Sequence, residues 1–176
     1  YTEENTLSLH DALPISAIPA GDLAVLRLEP GDRIKVQIPD LQGADAEYAV
    51  DQTGVISLPL VEEVKISGLT LREAEKAIEK ALLEKRILVR PNVTLQAASL
   101  RPIYILGEIG KPGEYEFREG LTVFSIISLA GGYTYRADTS TMIITRTING
   151  QKVTGRASEN TVVMPGDQIR IVEKWF

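Results

Sequence analysis

The 176-residue chain is 44% hydrophobic with a mean hydropathy near zero, and its 19 basic against 24 acidic side chains leave a net charge of −5. That length buries a core in one domain or two small ones, and the mild acidity without a basic stripe excludes nucleic acid as a partner. Absence of cysteine excludes disulfides, zinc ribbons and thiol catalysis. No apolar run reaches the roughly 20 residues that span a bilayer; the best, Leu121 to Ala130, reads as a short buried helix.

The first stretch with chemical interest is TLSLHDALPIS, Thr6 to Ser16, where the single histidine, His10, stands beside Asp11 and between Ser8 and Ser16. These are the residue types of a hydrolytic triad. The stretch is instead similar to a translated sequencing-library adapter, ACTCTTTCCCTACACGACGCTCTTCCGATCT, continuously from Thr6 to Ile15, with Tyr1 to Asn5 fitting the bases upstream. On that reading residues 1–16 are a fusion scar and are set aside in reading the fold. The triad dissolves, and Ala17 to Phe176 holds no histidine. Setting aside Glu3, Glu4 and Asp11 lowers the acidic count from 24 to 21, for a net charge of −2.

Further along, Pro30-Gly31-Asp32 is a turn that launches a period-2 strand, with Ile34, Val36 and Ile38 facing one way and Arg33, Lys35 and Gln37 the other. The acidic stretch Asp40 to Asp51 lacks the dense oxygen spacing of a calcium loop and reads as a solvated connection. After the turn Asp51-Gln52-Thr53-Gly54 comes a strand, Val55 to Leu58. Glu62 and Glu63 are neighbours, so on a strand they point to opposite faces and cannot share a substrate. Gly68-Leu69-Thr70 opens a helix in which Thr70 and Glu73 make a capping box, followed by the apolar stripe Leu71, Ala74, Ala77, Ile78, Ala81 and Leu82.

Strands are expected at Val93 to Ala97, Ile103 to Leu106, Glu114 to Phe117, Met142 to Arg146 and Lys152 to Thr154, the last two joined by the type I′ signal Asn149-Gly150. A second helix opens at Gly120-Leu121-Thr122, buries Val123, Ile126, Ile127 and Ala130, and stops at Gly131-Gly132. Pro165-Gly166-Asp167 then repeats the earlier turn-strand pattern through Ile171. The pattern is α+β: two small β-rich modules, 26–98 and 102–176, the second, and by the same pattern the first, a β-grasp-like sheet around one helix. Their boundary is expected between Arg90-Pro91 and Arg101-Pro102.

Few residues suggest chemistry. Glu114 and Glu116 share a strand face, close enough for a glycosidase-like pair, or else form a solvated strand edge. Tyr115, Arg118, Tyr133, Tyr135 and Arg136 are the candidates for glycan or subunit contact. Aromatic rings stack on sugar faces and guanidinium groups bind sugar carboxylates in bidentate fashion; hairpin packing and surface charge explain the same residues. The terminal pair Trp175-Phe176 suggests docking or core packing. No catalytic, cofactor or metal site is expected.

Five motifs in order carry a resemblance: Pro30 to Val36 (PGDRIKV), Asp51 to Pro59 (DQTGVISLP), Gly68 to Ile78 (GLTLREAEKAI), Tyr104 to Phe117 (YILGEIGKPGEYEF) with Gly120 to Gly132 (GLTVFSIISLAGG), and Met164 to Ile171 (MPGDQIRI). Over Leu26 to Phe176 the chain resembles the polysaccharide export family, proteins that pass capsular and extracellular polysaccharides through the periplasm and outer membrane. The resemblance implies a soluble-ligand-binding β-grasp module in the second half and no enzymatic activity. It implies a homo-oligomeric ring around a channel, coupled to an inner-membrane chain-length-regulating copolymerase. Outer-membrane association is expected through an N-terminal lipid anchor upstream or through a partner. The alternative is a monomeric β-grasp module binding a small soluble ligand, for which residues 102–176 alone suffice.

Overall fold

The computed structural model describes residues 16–175; residues 1–15 of the adapter-like stretch, with His10, and the terminal Phe176 lie outside the described residues. In chain order the elements are β1 (Arg33–Gln37), β2 (Ala46–Ala49), β3 (Val55–Leu58), β4 (Glu62–Lys65), α1 (Leu71–Glu84), β5 (Thr94–Ser99), β6 (Ile103–Gly107), β7 (Gly113–Tyr115), α2 (Val123–Leu129), β8 (Ala137–Ile148), β9 (Gln151–Ala157) and β10 (Gln168–Glu173). The fold class is α+β, as the alternating patterns require. Among the described residues no helix is long and apolar enough to cross a membrane.

In the first half an antiparallel sheet, ordered β2-β1-β5, and the β3–β4 hairpin enclose α1. The alternation of β1 buries Ile34 and Val36 completely, and α1 turns Ala74, Ile78 and Leu82 onto the same cluster. The capping box of α1 is formed: Thr70 N–H donates to Glu73 Oε2 at 2.8 Å and Glu73 N–H to Thr70 Oγ1 at 3.3 Å. One expectation is corrected. The acidic stretch Asp40 to Asp51 contains β2, whose Tyr48 pairs with Ile34. Its exposed Ala46, Glu47 and Ala49 hide the strand from a hydrophobic pattern, because an edge strand with one half-buried side chain needs little apolar content.

The second half is a five-stranded sheet ordered β7-β6-β10-β8-β9, with β6 and β10 parallel and the other pairs antiparallel. Across its inner face lies α2, whose Val123, Ile126 and Ile127 pack in one cluster with Ile105, Ile144 and Ile169. That is the sheet-grasping-a-helix arrangement expected from the sequence. The β8–β9 hairpin turns at Asn149 (φ 51°) and Gly150 (φ 78°), the two positive values a type I′ turn demands. Both strands are longer than their apolar cores indicate. Apart from Ile143 their outward sides are polar, and pairing extends from Ile148↔Gln151 to Met142↔Ala157.

The two Pro-Gly-Asp segments are the same device. In each, the Asp N–H donates to the carbonyl three residues earlier (Asp32 to Glu29, Asp167 to Met164, both 3.1 Å), with Gly31 at φ 97° and Gly166 at φ 81°. That is a type II turn, which needs glycine at its third position. In each, the carboxylate reaches back to the same residue's N–H, Glu29 at 2.9 Å and Met164 at 2.8 Å. Both carboxylates are wholly buried, and each is matched by an arginine, Asp167 by Arg146 and Asp32 by Arg101.

The segment around Ile18, well ahead of β1, joins the second cluster. Ile18 is buried there, its N–H donates to Arg156 O at 2.9 Å, and Arg156 N–H donates to Ser16 O at 2.8 Å. A Cβ on Gly155 would come within 2.6 Å of Ile18 Cα, so this approach requires glycine. Asp167→Ala leaves Arg146 buried without a counter-charge, which costs about 3–5 kcal/mol. We expect a large fall in the urea midpoint, and a smaller loss in Asp167→Ala/Arg146→Leu than the two single losses added.

Candidate functional site

The junction of the two halves is built around arginines. Arg101, immediately before Pro102 and β6, donates from its backbone N and its Nε to Asp32 Oδ1, both at 3.0 Å. Its Nη1 pairs with Glu29 Oε2 at 2.6 Å, and its stem lies alongside Gly166, where an added Cβ would meet Nη1 at 3.5 Å. Arg101 therefore sits between the two Pro-Gly-Asp turns. Arg146 forms a bidentate pair with Asp167 at 3.0 and 2.7 Å and gives two further donors to Pro19 O at 2.8 Å and Val162 O at 2.9 Å. Arg27 links Gly68 O (2.6 Å), Glu73 (3.3 Å) and Asn149 Oδ1 (3.3 Å) across the junction.

Between these groups run a cleft of about 220 Å³, lined in part by Arg101, Arg146 and Met164, and a wider one of about 730 Å³ lined in part by Ser67, Thr147 and Lys152. Sequence reasoning did not single out either arginine. The signal for Arg146 was present: Met142, Ile144 and Arg146 share a parity on β8, so a cation stands where the pattern asks for a core residue. Burial there requires a carboxylate, and Asp167 supplies it.

The predicted contact residues fall into two groups. Tyr115, at the end of β7, donates its OH to Lys111 O at 2.7 Å and packs partly against the core, so it closes its own hairpin turn. Exposed Arg118 pairs with Glu116 at 3.0 Å. Tyr115 and Arg118 border a groove of about 590 Å³ with Leu121, Ser125 and Leu129 along α2. The second group lies in the connection from α2 to β8. Tyr135 is 88% exposed, Arg136 pairs with Glu173 near the end of β10, and Tyr133 is half-buried, donating its OH to Glu159 Oε1 at 2.9 Å.

Glu114 sits on β7 opposite Tyr104 and is exposed, while Glu116 is engaged with Arg118; no side chain encloses the pair. Trp175 is fully exposed. Among the described residues no cluster of His, Asp and Glu is arranged to hold a metal ion.

Desolvation, reinforced by the neighbouring Glu159 carboxylate, pushes the Tyr133 phenol up to about 12. A phenol held protonated in the fold stabilises it below the ordinary value near 10, and that contribution is lost as pH rises through about 12. We expect folding stability to fall across that alkaline window, and the fall to be reduced in Tyr133→Phe, measured by urea unfolding at stepped pH.

Comparison with known families places a polysaccharide biosynthesis/export protein domain over residues 21–98 and an SLBB domain over residues 102–157. The exopolysaccharide production protein ExoF of Rhizobium meliloti (strain 1021) is 31% identical over 137 residues, covering 72% of this chain and 32% of that protein. The chain thus spans about a third of the length of the curated relative it matches. With both domains in the order its motifs announce, and with the grasped helix and paired Pro-Gly-Asp turns formed as described, the chain belongs to the polysaccharide export protein family.

Proposed function

We propose that this chain is a periplasmic, outer-membrane-associated component of a polysaccharide export channel, acting by geometry and making or breaking no bond. The observation that carries this reading is the succession of an export domain and an SLBB domain in one chain, pinned together through Arg101. Residues 26–98 and 102–176 act as two modules of one building block. Copies pack head to tail with a rotation that closes, leaving a polar lumen for the glycan. The ring engages an inner-membrane chain-length-regulating copolymerase, and an upstream lipid anchor or a partner holds it at the outer membrane.

Tyr135 and Arg118, whose side chains are the most exposed of the predicted contact residues, serve as glycan or neighbour contacts. Tyr115, Tyr133 and Arg136 also have structural partners and shape the surfaces beside them. Glu114 and Glu116 take no catalytic part. A monomeric ligand-binding role would use only residues 102–176, whereas the junction engages both halves of the chain.

Sedimentation of the native-length protein, alone and with its copolymerase, should give a discrete closed oligomer. A strictly monomeric species under both conditions sinks the channel reading. Glycan handling should be undiminished in Glu114→Gln/Glu116→Gln, and a loss there would point to catalysis.

A further inference from the structure

The five-stranded sheet has an inner face that grips α2 and an outer face that α2 leaves uncovered. Register fixes what that outer face presents. Arg170 on β10 stands opposite Leu106 of β6 and Ile143 of β8, and Ile143 stands opposite Arg156 of β9. One line across four strands therefore reads Leu106, Arg170, Ile143, Arg156. The adjacent line carries Tyr104, Gln168, Thr145 and Thr154, bounded by Glu114 at the β7 edge. Beyond it Lys152 pairs with Thr147. The residues between these lines, Ile105, Ile169 and Ile144, are buried, so the alternation is strict and the named side chains point outward.

The charges on this face are unpaired. Arg118, Arg136 and Arg146 each have a carboxylate partner; among the described residues Arg156, Arg170 and Lys152 have none. Backbone bonds from Arg156 to Ser16 and Ile18 hold its strand segment in place. Two strand spacings put Arg156 and Arg170 about 10 Å apart at their Cα atoms, with the half-buried Ile143 as an apolar step between them. From Arg170 the surface continues into a groove of about 570 Å³ bounded by Glu108, Lys174 and the exposed ring of Trp175.

We propose that this outer sheet face binds an acidic glycan strand, with Arg156 and Arg170 taking successive sugar carboxylates and Tyr104 and Trp175 offering ring faces to the sugars. The inference rests on the export reading and specifies its substrate class. Guanidinium groups match carboxylates in bidentate geometry, and the hydroxyl and amide groups of Thr145, Thr154 and Gln168 suit sugar hydroxyls. An extended acidic peptide is the poorer fit, because peptides add to a sheet at its edge and not across its face.

The test is calorimetric titration with a short oligogalacturonide, a malto-oligosaccharide of equal length and a polyglutamate of equal charge. We expect the uronide to bind, more weakly as salt is raised, and the malto-oligosaccharide to bind less well. Arg156→Gln/Arg170→Gln should weaken uronide binding about tenfold, the sum expected for two exposed charge pairs. The same charge change at exposed Arg86 and Arg90 should leave it unaltered, and circular dichroism should show every variant folded. Absent uronide binding, or equal affinity in Arg156→Gln/Arg170→Gln, overturns the proposal. Polyglutamate binding as tightly as the uronide also overturns it, in favour of an acidic protein partner. Equal affinity for neutral and acidic glycans overturns the acidic preference and leaves export standing. Export itself falls on the oligomeric state, which this titration does not touch.

Discussion

A carboxylate with no accessible surface has to be neutralised where it stands, and this chain meets that requirement twice with one local device. Asp32 and Asp167 each cap their own type II turn from the side-chain end, and each then needs a cation, because an unpaired buried charge costs several kcal/mol. The two solutions differ in reach. Arg146 comes from the neighbouring strand β8 and keeps the pair within one sheet. Arg101 lies at the start of the other half, so the charge of the first turn is satisfied only when the two halves meet.

That difference fixes the relation between the halves. Neighbouring modules move relative to one another by default unless their interface is substantial. Here the chain crosses the junction twice. Arg101 is held through both its backbone N–H and its guanidinium, and Pro102 restricts its backbone to extended conformations. The residues from Ser16 to Pro19 run back along β9, where Pro19 O accepts a bond from buried Arg146. A unit that packs head to tail forms a ring only if its own angle is constant, since variation at each joint yields an open assembly. A pinned junction is what the proposed closed ring demands of its unit.

Much of this was legible in the sequence because it is local. The capping box of α1, the type I′ turn at Asn149-Gly150, the glycine stop after α2 and the two Pro-Gly-Asp turns each depend on a few adjacent residues, and all are formed. The edge strand β2 was not legible, because its partner β1 supplies the hydrogen bonds and its own side chains bury little. The candidate contacts divide on the same principle. Tyr115 and Tyr133 are aromatic residues that any surface search selects, yet their hydroxyls are spent on Lys111 and Glu159. Arg101, Arg156 and Arg170 are unremarkable in sequence, and only register and junction geometry show what each faces.

Charge segregation, more than net charge, then decides what the second half can hold. Residues 102–176 contain eight basic and eight acidic side chains, so composition gives no hint of a cationic surface. Glu116 and Glu173 are tied to arginines and Asp167 is buried with Arg146, which leaves Arg156, Arg170 and Lys152, against Glu114 at the β7 edge, to set the field over the outer sheet face. Exposed pairs of this kind are individually weak and screened by salt. For a fixed receptor that is a deficiency. For a surface along which a strand must pass it is a requirement, because conduction needs sites favourable enough to enter and weak enough to leave. The chain thus places its strong, desolvated ion pairs at the turns that define shape and its weak, solvated cations on the outer sheet face, which is what the proposed passage of an acidic glycan asks of them.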